Sequence, residues 1–156
     1  MLVEKVIGNL NDDEFKNSKV DYVDIEWHEA FKKLHKKTSQ QGVEVGIKLD
    51  NDILTRGLHQ GDVLGIKDGT VLAVNIPADD ALVVRVDDEH LIPKVCYEIG
   101  NRHATLFRGN DHNEFITIYS EPMKEMLEKI GAKVSKEKVK FDFSKSISSS
   151  INSHHH

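Results

Sequence analysis

"CYEIGNRHATLF", residues 96–107, is where a helical apolar pattern runs out and a β pattern begins. A single imidazole, His103, stands at the joint, directly behind Gly100, Asn101 and Arg102. Upstream, apolar residues recur at helical spacing, as Leu91, Val95 and Ile99 or as Ile92, Cys96 and Ile99. Pro93 fits the first turn of that helix, where its missing N–H costs little. Before it, ALVVRV (81–86) is a short β run. Downstream, ATLFRGNDHNEFITIY (104–119) reads as a hairpin around Gly109, Asn110 and Asp111. The next helix carries its own start and stop. Ser120 caps it, Glu121 suits the positive end of the helix dipole, and Pro122 suits the first turn. Met123, Met126, Leu127 and Ile130 form an apolar stripe, and Gly131 ends it. KVKFDF (138–143) is expected to close the set as a last strand. Residues 77–143 therefore read strand, helix, strand, strand, helix, strand, the ferredoxin-like order.

The first 76 residues read as a β-rich domain. KVDYVDIEW (19–27) alternates apolar and acidic residues, and VEVGIKLD (43–50) puts Val43, Val45, Ile47 and Leu49 on one side. DVLGIKDGTVLAVNI (62–76) is two β runs split at Asp68-Gly69, a hairpin signal because both residues tolerate positive φ. HEAFKKLHKKTSQQG (28–42) stays open: Phe31, Leu34 and His35 fit a helix face, while Leu34, Lys36 and Thr38 fit a strand. Pro77 marks the expected boundary. Residues 144–156, SKSISSSINSHHH, carry two isolated isoleucines among serines and are expected to form a mobile tail.

The 156 residues allow one domain or two small ones, and 38% apolar with 30% charged content is ordinary for a soluble protein. A net charge of −5 argues against bulk attraction to nucleic acid or an anionic membrane. The single cysteine, Cys96, excludes a disulfide framework and a Cys-based zinc motif. The opening MLVEKVIGNLNDDEF resembles neither a signal nor a transit peptide, and no apolar run approaches the roughly 20 residues of a membrane span. The expected location is the cytoplasm.

Nine histidines raise the question of metal. No HExxH occurs, and His28, His35, His59, His90 and His112 read as surface residues. Cys96 lies on the apolar side of its helix, where a thiol is an inert small hydrophobe. There is no Gly-x-Ser-x-Gly elbow and no phosphate-binding glycine loop, so no enzyme constellation stands out. Two features remain. His103 fits either a helix-terminal histidine bonded to free carbonyls or a ligand. His154, His155 and His156 fit either the remnant of a purification tag or a ligand cluster.

EIGNRH (98–103) resembles the signature of the urease accessory metallochaperones, the UreE family. VDYVDIEW (20–27), VEVGIKLD, GLHQGDVL (57–64), VLAVNI (71–76) and MLEKIGA (126–132) resemble the same family in the same order, so the likeness spans residues 1–143. The resemblance implies an α+β protein: an N-terminal β-rich, peptide-binding-like domain, a ferredoxin-like metal-binding domain and a His-ended tail. It implies a non-enzymatic nickel carrier, a homodimer through the C-terminal domains. His103 would then be the metal histidine at the two-fold axis, with His154, His155 and His156 as tail donors. Zinc or copper would substitute for nickel. The implied partners are the urease apoprotein complex and its accessory GTPase, with no nucleic acid and no membrane. EFITIYSE (114–121) lacks the histidines some relatives carry there, so auxiliary sites are expected to be missing. A second reading makes the N-terminal strands a protein-gripping module of the urease activation complex, with metal incidental.

Overall fold

Alternating apolar residues and sharp turns build the first unit. In the computed structural model, which describes residues 1–147, the chain divides between Pro77 and Ala78. The first unit contains β1 (Leu2–Val3), β2 (Gly8–Asn9), β3 (Lys19–Asp24), β4 (Leu34–Thr38), β5 (Glu44–Lys48), α1 (Ile53–Arg56), β6 (Asp62–Lys67) and β7 (Thr70–Asn75). They form two sheets, ordered β1-β5-β4 and β2-β6-β7-β3. The core holds Val23, Ile25, Val45, Leu58, Val63 and Val74, all essentially solvent-free. Between β6 and β7, Asp68 (φ 51°) and Gly69 (φ 78°) both take the left-handed conformation that a two-residue hairpin needs.

The open stretch 28–42 resolves into a 3-10 turn, Trp27–Glu29, followed by β4. This corrects the surface reading of His35, which is buried. On a strand its parity matches the inward residues, and it sits opposite Ile47. Its Nε2 donates to the Lys32 carbonyl at 2.9 Å, so the polar ring is satisfied inside. Asp21 is inward for the same reason and accepts the Gln41 N–H at 3.0 Å.

The second unit runs β8 (Asp79–Arg85), α2 (Ile92–Asn101), β9 (Leu106–Arg108), β10 (Glu114–Ile118), α3 (Glu121–Lys129) and β11 (Lys133–Val139). Its sheet is fully antiparallel in the order β11-β8-β10-β9. Both helices pack on one face: Leu82, Val84, Val86, Leu106 and Phe115 meet Val95 and Ile99 of α2 and Met123 and Leu127 of α3. Burying each of the larger aliphatic side chains contributes about 2 kcal/mol. Ser120 Oγ accepts the Met123 N–H at 3.4 Å, and Gly131, at φ 104°, ends α3 as its sequence predicts.

The last strand lies earlier than expected. It occupies KVSKEKV (133–139) rather than KVKFDF, because backbone pairing with β8 needs no apolar pattern at an exposed sheet edge. Its lysines instead reach acidic neighbours, Lys133 to Asp87 at 2.7 Å and Lys138 to Asp80 at 3.0 Å. Phe141 and Phe143 leave the strand and turn onto Phe107, on the sheet face without helices. Residues 144–147, expected in the mobile tail, are therefore held. A 3-10 turn covers Phe143–Lys145 and Ser146 bridges Phe107. His154, His155 and His156 lie outside the described residues.

Candidate metal centre

His103 takes its place from the end of α2. A short 3-10 turn, Glu89–Leu91, capped by Asp88 through the His90 N–H at 3.0 Å, leads into the helix with Pro93 in its first turn. Val95 and Ile99 are buried, and Leu91, Ile92 and Cys96 pack beside them. Burial raises the Cys96 thiol above its ordinary pKa, which fits the inert core role read from its spacing.

The helix closes on two bonds: the His103 N–H donates to the Gly100 carbonyl at 2.9 Å, and the Ala104 N–H to the Ile99 carbonyl at 3.3 Å. That is the Schellman pattern, whose left-handed position is ordinarily glycine. Here His103 occupies it at φ 59°. Meanwhile Gly100 sits in the helix body, where a Cβ would meet nothing within 4 Å. Each placement costs of order 1 kcal/mol against its alternative. Stability alone would exchange them.

The His103 side chain is exposed, and among the described residues its ring has no hydrogen-bond partner. The bland reading of a histidine bonded to free carbonyls therefore does not hold there, because the backbone itself closes the helix. On the same outer side lie Tyr97, 67% exposed, and Gly100. Just beyond, the Thr105 carbonyl accepts Thr117 Oγ1 at 2.8 Å, which ties the loop after His103 to β10.

Several of the other described histidines have partners elsewhere. His28 stacks edge-on against Trp27, with ring centroids 5.6 Å apart. His59 donates its N–H to Asp62 at 2.8 Å and its Nε2 to the Arg56 carbonyl at 3.1 Å. His90 is exposed, as read from sequence. His112 is exposed too, but its Nε2 lies 3.2 Å from Glu89 Oε1, a pairing across 23 residues that no spacing rule announces. Among the described residues, no three His, Cys, Asp or Glu side chains converge in a way that could hold a metal ion. His103 thus presents a single imidazole outward. Reading the sequence also missed Tyr97 and Gly100, although an aromatic on the polar side of an amphipathic helix was a signal.

Residues 3–77 match the family described as UreE urease accessory protein, N-terminal domain, and residues 79–156 match its C-terminal domain. Among similar proteins, the urease accessory protein UreE of Acetivibrio thermocellus is 43% identical over 131 residues, 84% of this chain and 82% of that protein. Its counterpart in Helicobacter acinonychis is 40% identical over 84% of this chain and 76% of its own length. That of Helicobacter pylori strain G27 is 39% identical over the same shares.

The chain belongs to the UreE family. UreE proteins are urease accessory proteins, and the two matched domains agree with the two-part α+β architecture seen here. Among the described residues of this UreE protein, no helix is long and apolar enough to cross a membrane.

Proposed function

We propose that the protein is a cytoplasmic nickel carrier whose metal site forms between two copies of the chain. The observation that supports this best is the outward imidazole of His103, which has no hydrogen-bond partner among the described residues, set beside exposed Tyr97 and the vacant space over Gly100. A second copy packed on this face by two-fold symmetry would fill that space and bring the two His103 rings together, since an isologous interface doubles every ligand it contains. Two neutral imidazoles, with His154, His155 and His156 of the tails, make a nitrogen-rich site suited to nickel. Copper would bind more tightly and zinc would compete, so selectivity would come from metal supply and docking. The recipients are the urease apoprotein complex and its accessory GTPase. The protein catalyses nothing. Weak tail ligands leave one at a time, which permits hand-over.

Nickel titration by calorimetry of the dimer tests this. His103→Asn is the better variant, because Asn tolerates the left-handed backbone. One tight ion per dimer, lost in His103→Asn and weakened in a chain ending at Ser153, is the expected result. Tight binding that survives His103→Asn would overturn the carrier site and favour the protein-gripping role of the N-terminal strands. Imidazole must be neutral to bind metal, so affinity should also fall on acidification.

A further inference from the structure

The sheet of the second unit carries its helices on one face, and the other face holds a cleft of about 410 Å3. Side chains alternate along β8 and β10, so Leu82 and Phe115 go to the helices. Val83 and Ile116, opposite each other in the register, line the cleft instead. Phe107, level with Ile116, and Phe141 line it too, their rings 5.2 Å apart and almost fully buried. The volume lies in the range of roughly 300–1,000 Å3 that small-molecule sites occupy. Three carboxylates border this apolar surface, and each is engaged within the chain. Glu114 accepts the Asn110 N–H at 3.1 Å and Glu137 the Ser135 hydroxyl at 2.8 Å. Asp142 accepts both the N–H and the hydroxyl of Ser144, at 3.0 and 2.6 Å. Lys138 lies 3.0 Å from Asp80. Arg108 and Lys145 differ: both line the cleft, and among the described residues neither side chain has an ion pair or a hydrogen bond.

The backbone holds these two cations together. Phe107 and Ser146 form an antiparallel bridge, and the Ile147 N–H donates to the Leu106 carbonyl at 2.8 Å. One step along that register, Arg108 stands opposite Lys145. Side chains so placed have Cβ atoms about 5 Å apart, and like charges directly opposite destabilise the pairing. A chain of net charge −5 thus keeps two cations side by side, without a counter-charge among the described residues, on the wall of an apolar cleft. We infer that this cleft binds a small amphipathic carboxylate, its head between Arg108 and Lys145 and its apolar body over Val83 and Ile116. The planar guanidinium of Arg108 suits both carboxylate oxygens, and Lys145 adds a point charge. The bound head replaces one repulsion by two attractions, while the body covers apolar surface that water otherwise meets. No histidine lines the cleft, so this site is separate from the metal centre.

Octanoate is the probe, with acetate as the head without the body and octanol as the body without the head. Amide NMR of the full, nickel-free chain reads the binding. Octanoate should shift the amides of Val83, Arg108, Ile116 and Lys145 saturably, and both controls should bind at least about tenfold more weakly. Lys145→Gln should weaken octanoate about fivefold, the worth of one ion pair at the surface. Lys145→Glu should abolish the binding and raise the urea midpoint of the ligand-free protein, because it sets attraction in place of repulsion opposite Arg108. A variant more stable than its parent cannot owe lost binding to misfolding. The site is overturned by octanoate that causes no saturable shift, or by binding that survives Lys145→Glu or ignores Lys145→Gln. Acetate binding as tightly as octanoate would reduce it to an exposed charge pair, and octanol doing so would reduce it to an apolar surface; either result refutes the carboxylate site. A urea midpoint that falls in Lys145→Glu would mean that Arg108 and Lys145 do not repel, and would refute it as well.

Discussion

At the scale of single residues, the end of α2 inverts the usual assignment. Glycine ordinarily takes the left-handed closing position and a helix former the body, yet His103 and Gly100 are the other way round. Strain retained at a site that nothing in the chain requires is a pointer to function. His103→Val should cost about 1 kcal/mol more stability than His103→Asn, because a β-branched residue resists φ near 59°; urea unfolding of the two metal-free variants measures it. Gly100→Leu has room within its own chain. It should leave far-UV circular dichroism unchanged while sedimentation reports monomer. A dimer that persists would show that this helix face is not the joint. The string Gly-Asn-Arg-His was legible in the sequence, and so was the helix carrying it. The left-handed turn and the open space over Gly100 were not, because backbone sign and emptiness leave no trace in residue spacing.

At the scale of elements, local chemistry was read well where it works through neighbours. Ser120, Pro122 and Gly131 delimit α3 as their residue types require, and Asp68-Gly69 makes its turn. At Gly69 a Cβ would meet nothing, so the loss from Gly69→Ala should be purely conformational, about 1 kcal/mol by urea denaturation. Elements held by distant partners were misplaced. β11 is polar nearly throughout and exists because β8 offers it a ladder, which a search for apolar alternation passes over. The converse error moved Phe141 and Phe143 into a strand. Their alternation is real, but what they pack against is Phe107, more than thirty residues away. Likewise His35 could be placed inside only once the strand through Leu34 was fixed, since its parity has the opposite meaning on a helix.

At the scale of the whole molecule, pH acts through His35. Burial pushes its imidazole below the ordinary range, against a smaller opposing effect of the Lys32 carbonyl it bonds. The folded form thus holds His35 neutral, while the unfolded chain takes up a proton near pH 6.5. Between the two pKa values the unfolded state binds more protons, so stability is full above about 6.5, declines as pH falls through it and levels off below the folded value. The urea midpoint should drop accordingly on acidification, and His35→Gln should flatten that slope; an unchanged slope would assign the acid sensitivity to other groups.

Residues 146–147 and the lysines of β11 have one more effect, on solubility. An open sheet invites a second sheet to add on at its rim. One rim of the second unit is occupied by the chain's own residues 146–147, and the other is guarded by Lys133, Lys136 and Lys138. A backbone hydrogen bond is indifferent to dissolved salt, whereas charge repulsion is screened to about 3 Å in molar salt. Salting-out should therefore begin at the lysine rim: concentrated sodium chloride would favour strand-to-strand aggregates through β11, and Lys136→Pro, placed in that edge strand, would suppress them.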